Sequence, residues 1–165
     1  MFDISNSKHF YEKLVYDYED LHKQPDSGRA AINCAITAYH LPEWAWGDWL
    51  KKSDARRRLG FKTVDDFKKW LDVELWGFAA VQSVANGTKH FVRNEFVKTQ
   101  RFDARPSEPG SAFFLIEIDV GPDRVRNDLE TVVEQQILFW RDFFRKHGPY
   151  GELILPPSGV LDFST

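Results

Sequence analysis

The chain has 165 residues, enough for one domain, 1–165, that buries roughly two thirds of the surface its unfolded form exposes and needs no disulfide or metal to fold. Fourteen Phe, six Trp and five Tyr point to an aromatic core, and a net charge of −3 with both signs interspersed excludes the global basic field of a dedicated nucleic-acid binder. The single cysteine, Cys34 in the apolar run AAINCAITAY, excludes an internal disulfide, and no apolar window approaches the length of a membrane span, so a cytoplasmic protein without membrane contact is expected.

Ser5, Asn6 or Ser7 can cap a first helix reaching about Gln24, with Phe10, Leu14, Tyr18 and Leu21 on one face. A second helical run starts near Arg29, and Pro42 inside it predicts a kink, or a break with a new helix reaching about Lys52. Ser53-Asp54 can cap a short basic helix ended by Gly60, and Thr63 caps another helix that runs to Glu74. Residues 75–86 fit a helix stopped by Gly87 or one arm of a hairpin turning at Asn86-Gly87, the helix being preferred. HFVRNEFV (90–97) and AFFLIEIDV (112–120) change to period two and predict an antiparallel hairpin whose loop is DARPSEPGS. Residues 121–123 then cap a last helix from Arg124 to His147, and the tail adds a short strand or lies across the surface. The expected fold is mainly α, a helical bundle with a two-stranded antiparallel β-hairpin inserted before the last long helix.

Two segments hold the most unusual local chemistry, HLPEWAWGDW at 40–49 and ANGTKHF at 85–91. His40, Glu43, Trp44 and Asp48 fall on one helical stripe if Pro42 leaves the register intact, so a carboxylate can orient the imidazole beside an indole. Lys89 and His90 follow the expected helix end; His90 is then a candidate general base or acid and Lys89 an electrostatic partner for an anion. Each histidine also has a purely structural reading, with its ring satisfied by neighbouring groups. Glu19-xx-His22 has the spacing of di-iron bundles but lacks a second copy, and no metal or cofactor is expected. Arg56-Arg57-Arg58 is too short for a nucleic-acid stripe and reads as a solvated face with Asp54.

Through His40, Leu41, Trp44 and Trp46, then Asn86, Gly87, Lys89 and His90, the chain resembles a family of uncharacterised bacterial and phage-associated helical proteins with HLxxWxW and NGxKH segments. That resemblance implies a helical bundle and no particular activity. Arg141 and His147, with five residues between them, are similar to the Arg-x(4–6)-His motif of HEPN helical bundles, many of which are metal-independent ribonucleases of defence or toxin systems. The HEPN resemblance implies RNA as substrate, a homodimer pairing two sites, His90 or His147 as general base, and Lys89 or Arg141 as the group stabilising phosphate charge. The reading preferred from the residues is a module that binds a protein or small-molecule partner in a groove formed by His40, Trp44, Asp48, Asn86, Lys89 and His90. The ribonuclease is the alternative.

Overall fold

The computed structural model describes residues 3–25, 27–90, 97–103, 112–120 and 125–154, with side chains for residues 3–25, 27–87 and 128–154. Helix α1, Ser7–Lys23, begins where the Asn6 side chain accepts from the His9 N–H at 2.9 Å, which satisfies one of the free donors of the first turn. Helix α2, Gly28–Asp48, is capped by Ser27 and returns beside α1. It runs through Pro42 without a break, so of the two alternatives the new helix starting at Pro42 does not form. A proline removes the hydrogen bond to the carbonyl four residues back. The fully buried Leu41 and Ala45 on either side hold the helix in register, because their burial outweighs one lost bond.

A 3-10 turn at Leu50–Lys52 leads to α3, Asp54–Leu59, which Ser53 caps and Gly60 ends in the left-handed conformation. In α4, Val64–Glu74, Thr63 and Asp66 form a reciprocal capping box. Helix α5 spans Phe78–His90 and α6 spans Leu129–His147. Helix α2 is the common neighbour, touching α1, α4, α5 and α6. Its buried face carries Ala30, Ala31, Cys34, Ala35, Ala38 and Ala45, side chains small enough for several helices to approach closely. The large residues come from the partners. Trp140, Tyr11, Tyr18, Phe67, Phe78 and Phe144 are fully buried, and Phe67 meets Trp140 edge to face at 6.0 Å.

The bundle with a two-stranded insertion is not what forms. No strand occurs among the residues with described side chains, and the backbone at Val97–Asp103 (β1), Ala112–Val120 (β2) and Val125–Asn127 (β3) makes a three-stranded antiparallel sheet in the order β1-β2-β3. Two local signals were misleading. Asn86-Gly87 reads as a turn, yet α5 continues through Gly87 to His90, because Phe78, Val81, Val84 and Ala85 bury one face and offset the roughly 1 kcal/mol a helical glycine costs. At the other end, Asp128 rather than residues 121–123 caps the last helix, accepting from the Thr131 N–H at 2.7 Å. The residues before it pair with β2, Asn127 opposite Ile118. Residues 91–96, which carry most of the first expected strand, lie outside the described residues, as do 104–111 of the expected loop, the turn at 121–123 and the tail beyond Ile154. Among the described residues no helix is long and apolar enough to cross a membrane.

Candidate binding cleft

The antiparallel return of α2 sets its C-terminal end beside the start of α1, and a cleft of about 530 Å³ opens between them. His40, Glu43, Trp44, Gly47 and Asp48 line it from α2, at the three- and four-residue steps that put side chains on one helix face. Ser5, Asn6 and Phe10 line it from the first turn of α1 and the residues before it. The Phe10 and Trp44 rings stack with centroids 4.6 Å apart and planes 11° from parallel. Such a pair contributes about 0.5–1.5 kcal/mol beyond the area it buries, so this wall is preformed. Gly47 adds space: a Cβ built on it would meet nothing within 4 Å.

Asp48 ties the end of α2 to two other parts of the chain. Its Oδ2 accepts from the Ser7 N–H at 2.9 Å, from the Ser7 hydroxyl at 2.8 Å and from the Tyr150 hydroxyl. The carboxylate thereby sits on the positive end of the α1 dipole and satisfies one of its free amides. Partial burial pushes the Asp48 carboxyl up, but hydrogen bonds from Tyr150 and from the Ser7 backbone and side chain outweigh it and hold the group below the usual carboxylate range. Asp48 is ionised at neutral pH. Every donor it receives is neutral, and no cation pairs with it among the described residues.

Glu43 is held differently. His40 Nδ1 lies 2.8 Å from Glu43 Oε2, and because a carboxylate only accepts, the imidazole proton belongs on Nδ1. Lys68 reaches across from α4 to Glu43 Oε1 at 2.6 Å and also lies 5.0 Å from the centre of the Tyr39 ring. Burial raises the Glu43 carboxyl, while the hydrogen bonds and charges of Lys68 and His40 bring it below its ordinary value. Glu43 is therefore charged but already compensated. The bond to Glu43 leaves Nε2 as the remaining polar atom of the His40 side chain.

The structure thus brings His40, Glu43, Trp44 and Asp48 together with Ser5, Asn6 and Phe10, none of which the sequence marked as a site residue. In the sequence Phe10 is one more member of the apolar face of α1. The cluster Ser5-Asn6-Ser7 carried the available signal, since a cap at the start of one helix is a natural partner for a carboxylate at the end of the helix that folds back on it. Lys68 and Tyr150 left no trace in local sequence, being 25 and 102 residues from the carboxylates they contact.

The other candidates are not among the described residues that line the cleft. Asn86 is exposed on α5. Lys89 and His90 belong to the last turn of α5 rather than to a segment past its end, and their side chains lie outside the described residues. Arg141 Nε binds Asp142 Oδ1 at 2.9 Å, while the His147 ring sits 5.1 Å from Phe143 with its Nδ1 buried and unpartnered. Burial first, then the charges of Lys146 and Arg58, lowers the His147 pKa. Six helical positions separate Arg141 from His147, roughly 120° around the axis and about 9 Å along it, so the two side chains leave α6 on different faces. His22 Nδ1 bridges to Glu130 Oε1 on α6 at 2.5 Å. Among the described residues no group of three or more His, Cys, Asp or Glu side chains is arranged to hold a metal ion. No family model, curated protein or solved structure matches the chain, so comparison lends no weight to either family resemblance and the chemistry of the cleft is the ground for a functional reading.

Proposed function

We propose that this protein is a binding module whose ligand, a small molecule, seats in the cleft between the start of α1 and the end of α2. The observation that carries the reading is the cleft itself: about 530 Å³, walled by a stacked aromatic pair and bordered by polar groups already fixed by hydrogen bonds. Its volume lies within the roughly 300–1,000 Å³ typical of small-ligand pockets, and a few oriented polar groups beside an aromatic wall is the usual way such pockets combine affinity with selectivity. Immobilised walls also lower the entropy cost of association.

Gly47→Leu tests the reading without removing any bond. The new side chain starts in open space and replaces a glycine in the last turn of α2, so the variant is expected to melt near the wild-type temperature. A fragment library is screened by amide chemical shifts against both proteins. Fragments that shift Gly47 and its neighbours in wild type should lose at least tenfold in affinity against the leucine variant. A wild-type protein that binds no fragment at these residues, or a variant that binds the same fragments equally, overturns the reading.

A further inference from the structure

We infer that the ligand of this cleft is a free small-molecule cation, an amidinium or guanidinium carried on a flat ring, held by Asp48 and the aromatic wall. The inference rests on the binding-cleft reading and adds the charge and shape of the occupant.

The argument begins with the two carboxylates. Glu43 spends its charge on Lys68 and its second oxygen on His40. Asp48 has only neutral donors, and all three of them engage Oδ2. Oδ1 is left without a hydrogen bond among the described residues, on a side chain that lines the cleft. Among the described residues no lysine or arginine lines the cleft with it. A helix N-terminus at such a place would ordinarily recruit an anion. Here the first turn of α1 is already served by Asn6 on the His9 N–H and by Asp48 on the Ser7 N–H, so its demand for negative charge is met from within. What remains is one uncompensated carboxylate beside the Phe10–Trp44 stack. Carboxylate next to indole is the pairing that recognises organic cations, since the negative face of the ring and the charged oxygen attract the same group. A planar cation on a flat apolar body satisfies both: its N–H donors take Oδ1, and its body continues the apolar wall.

Benzamidine, benzamide and benzoate share one ring and differ in charge, and they form the test. Each is titrated into the whole protein at low salt while the Gly47 amide and the Trp44 indole N–H are followed, the latter assigned through Trp44→Phe. Benzamidine is expected to shift both signals and to bind at least tenfold more tightly than benzamide, with benzoate weakest, and Asp48→Asn should remove that preference. Nα-acetylarginine amide stands in for a guanidinium carried by a protein chain and is expected to bind at least tenfold more weakly than benzamidine. Equal binding of benzamidine and benzamide at these residues overturns the cation assignment and leaves the binding cleft standing. Tightest binding by benzoate, or no shift with any of the three, overturns it as well, and the fragment screen then decides the cleft separately. Arginine amide binding as tightly as benzamidine overturns the assignment to a free, ring-borne cation. Because the comparison runs on wild-type protein, the test survives any loss of folding in Asp48→Asn.

Discussion

Gly77 is the residue on which the join between α4 and α5 turns. Its φ of +80° lies in the left-handed region, and a Cβ there would stand 2.7 Å from Val132 Cγ1 on α6. The same turn offers the Trp76 carbonyl to the Gln136 amide at 2.9 Å, a bond partly buried in the bundle. Gly77→Ala meets two penalties together, about 1 kcal/mol for the left-handed backbone and about 1–3 kcal/mol for overpacking a filled core. A loss of roughly 2–4 kcal/mol is therefore expected, read as a fall in the denaturant midpoint at unchanged slope. Val132→Ala in the same chain should recover part of it by clearing the contact. A Gly77→Ala protein as stable as wild type would show that the turn relaxes freely.

At the scale of elements, the start of α1 is joined to the end of α2 through Asp48, and that joint carries a pH dependence. The Asp48 carboxyl is held below its ordinary value in the folded chain, so the unfolded chain binds its proton more readily. Stability from this source is fully present above the unfolded Asp pKa of about 4 and is lost as pH falls through the lower folded value. Asp48→Asn should cost about 1 kcal/mol at pH 7, the low end for charge-assisted bonds because the carboxylate is solvent-exposed. The gap between variant and wild type should close below about pH 4, measured by urea unfolding at a series of pH values. A gap that stays constant down to pH 2 would mean that the charge contributes nothing. This joint also marks where the sequence was readable and where it was not. The apolar periodicity of α1, α4 and the later part of α6, the caps of α3 and α4, and the stripe His40-Glu43-Trp44-Asp48 follow from local rules that tertiary packing did not override. The passage of α2 through Pro42, the continuation of α5 past Gly87 and the diversion of Val125–Asn127 into a third strand are all decided by distant partners. For the same reason half of the cleft was invisible: Phe10 shows its role only when Trp44 arrives from the other helix, and Tyr150 only when the tail crosses beside Asp48.

The molecule as a whole hangs on α2, and Cys34 at the centre of that helix reports on its integrity. The thiol is fully buried, and burial, with Asp17 adding to it, raises its pKa well above the ordinary thiol value. It is therefore neither accessible nor a thiolate in the native state, and reaction with a disulfide reagent requires an opening that separates α2 from its neighbours. Because α1, α4, α5 and α6 all lean on this one helix, such an opening dismantles most of the core. The labelling free energy should approach that of global unfolding, and Ala38→Leu, which forces a larger side chain into a fully buried site on the same helix, should speed labelling in proportion to the stability it removes, about 1–3 kcal/mol or roughly 5- to 150-fold. A ligand seated between α1 and α2 binds only the closed form, so it should slow labelling by the factor one plus its concentration over Kd. Benzamidine at ten times its wild-type Kd is expected to slow Cys34 about elevenfold in wild type and at most about twofold in Gly47→Leu. Fast labelling that ignores both Ala38→Leu and saturating ligand would mean that α2 opens locally around Cys34, and the chain would then be two loosely coupled halves rather than one cooperative bundle.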